Sequence, residues 1–202
     1  MSLLVRLPHG QSLDLSDVNV IRSVDQKESD GYNDRIAADL GTHSQRRWTA
    51  AIEKPGESGK ITTRYTSDIT VAQLVSAAPA LKDRFDLIDG GRAALAKDAK
   101  VHLIRPLGER ADSDKHATIW VGGGSSNGLN VTKPMAAIKA ELGAKAGGLT
   151  QIGDEGFIDR SRINRVSTFD PTKELAEGQA PQPTPMPSRL YMESLAGHPK
   201  TD

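Results

Sequence analysis

The phrase VNVIRSV at residues 18–24 returns as VHLIRPL at residues 101–107, with apolar residues at its first, third, fourth and seventh places and Ile-Arg in the middle. A phrase written twice, each time ahead of the same succession of patterns, limits a chain to folds built from a repeated supersecondary unit. After the first copy, Trp48–Ile52 and Ile61–Tyr65 flank the turn-rich Pro55-Gly56-Glu57-Ser58-Gly59, which reads as a hairpin. Thr70 then offers an N-cap hydroxyl to a helix carrying Val71, Leu74, Val75 and Ala78 until Pro79 interrupts it. Phe85–Ile88 is a strand ending in the tight turn Asp89-Gly90-Gly91, and the chain passes from Ala93 to Lys100 into the second phrase.

The succession recurs. Thr118–Val121, with Trp120, meets the glycine-rich turn GGGSSNG at 122–128, and Leu129–Val131 returns as the partner strand. Thr132 is expected to cap a helix with Pro134 in its first turn and Met135, Ile138 and Leu142 on one face, stopped by Gly143. Leu149–Ile152, the turn 153–156, Phe157-Ile158 and an aliphatic strand at 163–166 close it. Ahead of the first phrase, Leu3–Leu7 and Ser12–Leu15 read as a further hairpin, and after it the polar stretch Asp25–Gly41 carries a short helix over 34–40.

The expected fold is α+β and β-dominated: two small hairpin-helix-hairpin units sharing the 101–107 strand, followed by an extended C-terminal arm. The divisions are residues 1–107 for unit one, 98–167 for unit two and 168–202 for the arm. Sharing a strand would fuse two sheets into one core, which neither small unit could bury alone. The thin aliphatic composition, 37% hydrophobic and 4% aromatic with 19 Gly and 11 Pro, favours strands and turns over a helical bundle.

Lys plus Arg equal Asp plus Glu at 26 each, which removes the long-range attraction of a basic protein for nucleic acid or an anionic membrane. The absence of Cys excludes disulfides, thiolate catalysis and cysteine-ligated zinc. No apolar run approaches membrane-spanning length and the N-terminus has no signal-type apolar segment, so the expectation is a soluble protein made in the cytoplasm.

Catalytic, metal and cofactor residues are expected to be absent. The five His, at 9, 43, 102, 116 and 198, have no metal-ligand spacing. GGGSSNG lacks the P-loop spacing and precedes a strand, so it is a hairpin tip rather than a phosphate cradle. Asp154, Glu155 and Asp159 flank a turn as solvated acids, and no base is placed beside Ser125 or Ser126.

From Ser167 the composition changes. Pro181, Pro183, Pro185 and Pro187 alternate through a segment that must be extended and polyproline-like, outside the core. Leu190, Tyr191, Met192 and Leu195 then make an apolar tip. A greasy tip on a stiff spacer suits gripping a neighbouring protein, and these eight residues are the expected partner-binding set.

The segment GLTQIGDEGFIDRSRINRV, residues 148–166, has apolar positions Leu149, Ile152, Phe157, Ile158, Ile163 and Val166 that resemble the closing segment of LytTR-type bacterial DNA-binding domains. The resemblance implies a small β-rich fold and, for function, a DNA-binding transcriptional regulator whose phosphate contacts would be Arg46, Arg47, Arg160 and Arg162. Where that family has His-Arg-Ser followed by an aromatic residue, this chain has Gly153-Asp154-Glu155-Gly156, which sets carboxylates against a phosphate backbone. The leading expectation is therefore a non-enzymatic structural or assembly subunit of a large complex, such as a capsid-decorating or other bacteriophage virion protein. It would be held to neighbouring subunits or further copies of itself through the arm, with DNA binding as the alternative.

Overall fold

The computed structural model describes residues 4–6, 12–43, 45–55, 61–107, 114–122, 128–162, 167–168 and 190–191. The chain opens with the hairpin β1 (Leu4–Arg6) and β2 (Ser12–Asp14). Unit one follows as β3 (Val20–Ser23), α1 (Gln26–Leu40), β4 (Trp48–Pro55), β5 (Ile61–Ser67), α2 (Val71–Ser76), α3 (Pro79–Arg84), β6 (Phe85–Ile88) and β7 (Ala93–Ala96). Unit two is β8 (Val101–Pro106), β9 (Ala117–Val121), β10 (Leu129–Val131), α4 (Met135–Leu142), β11 (Leu149–Ile152) and β12 (Gly156–Asp159). Two short strands, β13 (Ser167–Thr168) and β14 (Leu190–Tyr191), pair with each other.

The fold is α+β and β-dominated. Its two five-stranded antiparallel sheets are wound identically, in the orders β5-β4-β3-β7-β6 and β10-β9-β8-β12-β11. Each begins with the strand of the repeated phrase at its centre, steps outward through a hairpin, crosses a helix and returns as a second hairpin on the other side. Equivalent residues hold equivalent places: Ile21 lies opposite Ile52 and Ala94, and Ile104 opposite Ile119 and Phe157.

The phrase strand is not shared. Both sides of β8 are taken within its own sheet, by β9 and β12, and unit one is closed by β7, which pairs with β3 and β6. The turn at Lys97-Asp98 carries the chain out of the first sheet before the second phrase begins. In sequence, Ala93-Ala94-Leu95-Ala96 reads as a connection because it has no alternation, yet it forms β7. It is buried on both faces, the setting in which a strand reads as a continuous apolar run.

Sheet one is the middle layer. On one face Ile21, Ile52, Ala94 and Ala96 pack with Val71, Leu74 and Leu81 of α2 and α3 and with Val5 and Leu13 of the N-terminal hairpin. On the other, Val20, Ile88, Ala93 and Leu95 join Ile104, Ile119, Phe157, Ile138 and Leu142 in the core of unit two. The two units are thus continuous through shared apolar burial rather than a shared strand.

Polar contacts fix that junction. Asp89, in the β6–β7 turn, has φ +54 and is only 3% exposed. Its carboxylate accepts from the Thr132 backbone N–H at 3.0 and 3.1 Å and from the Thr132 hydroxyl at 2.6 Å, while its own N–H donates to Glu141 at 3.0 Å. Lys145 donates to the carbonyls of Ala96 and Lys97 at 3.1 and 2.6 Å and pairs with Asp86 at 3.1 Å.

Thr132 therefore does not cap α4. The N-cap position falls to Pro134 with no side-chain cap, because the Thr132 hydroxyl is committed to Asp89. Thr70 does cap α2, in a reciprocal capping box with Gln73. Pro79 ends α2 and also opens α3, the first-turn place where its missing N–H costs nothing. The surface helix α1 begins at Gln26 rather than near residue 34, since Asp25 accepts from the Glu28 N–H as N-cap, and Gly41 with φ +66 ends it. At Gly156, φ +139, a Cβ would run into the Ile104 carbonyl oxygen, so only glycine admits this close approach of β12 to β8.

Candidate functional site

The described surface contains a groove of about 1140 Å³ where α1, the part of sheet one's rear face around Arg22 and the loops of unit two meet, lined among others by Arg22, Glu28, Glu53, Tyr65, Arg92 and Asp114. Its floor is set by the repeated phrase. Arg22 follows Ile21 in β3, so period-2 alternation turns it away from the α2 core and into the groove. There its guanidinium is bidentate to Glu28, Nη1 to Oε2 at 2.6 Å and Nη2 to Oε1 at 2.7 Å, while Nε donates to Glu53 at 2.7 Å. The Tyr65 hydroxyl donates to Glu28 at 2.9 Å.

Aromatic packing fixes the wall. Tyr32 of α1 stacks on Tyr65 at 4.1 Å and meets Trp48 edge-on at 5.0 Å, with Arg35 over Tyr32 and Arg46 over Trp48. The Trp48 indole donates to Asn33 at 2.8 Å, and Ser29, the buried residue of α1, accepts from the Trp48 backbone N–H at 3.0 Å. A helix with almost no apolar face is thereby held by hydrogen bonds and rings.

The charges in this groove are fixed in sign. Burial works against both ions of the pair, yet the hydrogen bonds and charges of Glu28 and Glu53 raise Arg22 further above its already high value, so it stays cationic. For Glu28 burial again opposes ionisation, but the bonds and charge of Arg22 outweigh it and hold the carboxyl below its usual range. Burial and the anionic Glu28 push the Tyr65 phenol up, keeping it protonated. Across the groove Arg92 donates to Asp114 at 2.5 Å and lowers that exposed carboxyl. With Arg22 held cationic, Glu28 anionic and the Tyr65 phenol neutral, the groove presents a fixed pattern of charges and rings.

No protein-family model matches the chain, and neither a curated protein nor a solved structure matches it.

The residues picked out from sequence fall elsewhere. Arg46 and Arg47 are exposed just before β4 in unit one. Arg160 and Arg162 lie in a single 3-10 turn, Arg160–Arg162, after β12 in unit two, where the Ser161 N–H and hydroxyl bond to Asp159. Leu190 and Tyr191 form β14 and pair in cis with β13. Pro181, Pro183, Pro185, Pro187, Met192 and Leu195 lie outside the described residues, as do Ser125 and Ser126. Among the described residues no three His, Asp or Glu side chains converge in a metal-like cluster, and no helix is long and apolar enough to cross a membrane.

The groove residues were missed, although one signal was in plain view. Arg22 and Arg105 occupy the same place in the repeated phrase, and each finds a carboxylate: Arg105 lies 3.8 Å from Glu155. An arginine repeated at one register between two aliphatic residues marks a counter-ion requirement.

Proposed function

We propose that this chain is a non-enzymatic structural or assembly subunit of a large complex such as a bacteriophage particle, made in the cytoplasm and carried in the particle when mature. The observation that supports this reading best is how the two units join. The rear face of sheet one is an integral part of the core of unit two, so the repeat is a stacking device whose chemistry is the burial of one unit's face against the next. The groove fits the same reading, since permanent ion pairs and packed rings give a partner a fixed pattern to recognise. The residues 168–202 supply the tether between subunits.

Light scattering after size exclusion tests this on the full chain and on a chain ending at residue 178. The expected result is full-length protein heavier than one chain, and truncated protein of lower mass with an unchanged far-UV spectrum. Full-length protein of monomer mass at every concentration would overturn the reading. Tight duplex-DNA binding that weakens steeply with salt would favour the regulator instead.

A further inference from the structure

The two five-stranded sheets end in four edge strands, β5 and β6 in the first and β10 and β11 in the second. β5 is the longest at seven residues, against four, three and four for the others. Its sequence, Ile61-Thr62-Thr63-Arg64-Tyr65-Thr66-Ser67, is rich in β-branched residues and holds no proline. Among the described residues β5 pairs with β4 alone, so every second residue turns its backbone N–H and C=O away from the sheet.

β5 also borders the groove. Ile61, Thr63 and Tyr65 alternate onto its rear face and line the groove, while the exposed Arg64 points to the other face. Thr63 stands directly beside Glu53 of β4 in the register. Glu53 is 8% exposed and lines the groove too; its Oε1 accepts from Arg22, and no second donor from the described chain reaches the carboxylate. Glu28 differs. Both of its oxygens are taken, by the two Arg22 Nη groups and the Tyr65 hydroxyl. One guanidinium thus answers two carboxylates, and the unmet half of a nearly buried acid faces the groove.

We propose that β5 takes up an extended segment of a partner protein as a sixth strand of sheet one, with a lysine or arginine of that segment reaching Glu53 across Thr63. Neighbouring strands lie about 4.8 Å apart, so the partner backbone runs about 10 Å from β4. A long basic side chain and a glutamate together span that gap, and the threonine between them is short enough to be crossed. The partner residues two places before and after the cation fall beside Tyr65 and Ile61, where aliphatic side chains pair well. The pattern is apolar, any, basic, any, apolar, and it reads alike in either direction. Backbone pairing supplies affinity and the cation supplies selection. This inference rests on the assembly reading and names the chemistry of the partner's contact.

The test is fluorescence anisotropy on the full chain with a labelled peptide, Thr-Val-Thr-Lys-Thr-Val-Thr, and its counterpart with glutamine for lysine. The lysine peptide should bind about tenfold tighter. Glu53→Gln, which keeps an acceptor for Arg22, should remove that difference. Thr63→Lys, a change on the half-buried edge, supplies the cation within the chain and should remove it as well, which keeps the test decisive if Glu53→Gln alters the far-UV spectrum. No binding of either peptide up to millimolar concentration, equal binding of both, or a preference that survives both substitutions would overturn the proposal. So would a chain that dimerises without peptide and loses the dimer in Thr63→Lys, since a second copy's β5 would then hold the edge. Light scattering of the full chain without peptide decides the assembly reading separately. An oligomer that ignores the peptides leaves that reading standing, and a monomer that binds the lysine peptide removes that reading alone.

Discussion

Replacing Asp89 should uncouple the two units. Its carboxylate takes two donors from Thr132 in a nearly water-free junction, and each hydrogen bond to a charged group contributes about 1.5–3 kcal/mol. Asp89→Ala removes both and leaves the Thr132 N–H unsatisfied, which sets the expected loss at about 3–5 kcal/mol. The φ of +54 adds a separable component: Asp89→Gly loses the same bonds without backbone strain, so it should be milder than Asp89→Ala by about 1 kcal/mol. Asp89→Asn keeps one acceptor and tolerates the left-handed backbone, and should cost about 1–2 kcal/mol.

The assay is urea unfolding followed by tryptophan fluorescence, because Trp48 lies in unit one and Trp120 in unit two. Trp120→Phe leaves Trp48 as reporter of the first unit, and Trp48→Phe leaves Trp120 as reporter of the second. The unsubstituted junction should give coincident transitions. With a slope of about 2 kcal/mol per molar urea, Asp89→Ala should lower the midpoint by about 2 M and separate the two reporters. Coincident transitions with a midpoint shift below about 0.5 M would refute the claim that this carboxylate couples the units.

Three further outcomes follow from particular residues. Glu28 is held below its ordinary pKa, so its pairing stabilises the fold above the unfolded value of 4.5 and the benefit disappears as pH falls through the lower folded value; the stability gap to Glu28→Gln, about 1 kcal/mol at neutral pH, should close in acid, and a gap constant down to pH 2 would count against the pair. The Tyr65 phenol is raised above 10.0, so stability should fall as pH climbs through that region and Tyr65→Phe should abolish the slope in an alkaline titration of the melting midpoint. Gly156→Ala should cost about 3 kcal/mol by thermal or urea unfolding, combining overpacking with backbone strain, while Gly153→Ala, also left-handed but facing open space, should cost about 1 kcal/mol.

Sheet composition was legible where the pattern was local. The repeated phrase marked both central strands, the Trp-bearing hairpins fell where β-branched runs flanked turn residues, and Thr70 announced its helix. What escaped were places where tertiary context decides. β7 has no period because both of its faces are buried. The Thr132 hydroxyl prefers a buried carboxylate far off in sequence to the nearby helix end. The α1 helix has no apolar stripe to announce it, being held by Asn33, Ser29 and Tyr32 rather than by greasy packing. The groove stayed hidden for a related reason: Arg22, Glu28, Glu53 and Tyr65 come from four elements, and only the folded chain brings their charges together.

Strand β7 belongs by hydrogen bonding to one sheet and by two of its side chains, Ala93 and Leu95, to the hydrophobic interior of its successor. No scissile point near residues 97–100 yields two self-sufficient halves, since a cut there strips the downstream fragment of its lid. The workable unit of gain or loss is instead offset, running from one phrase to the next. A gene that recombined from residue 100 back to residue 17 would lengthen the stack by a whole storey, with one new joint that sets the rear face of unit one against its own front core.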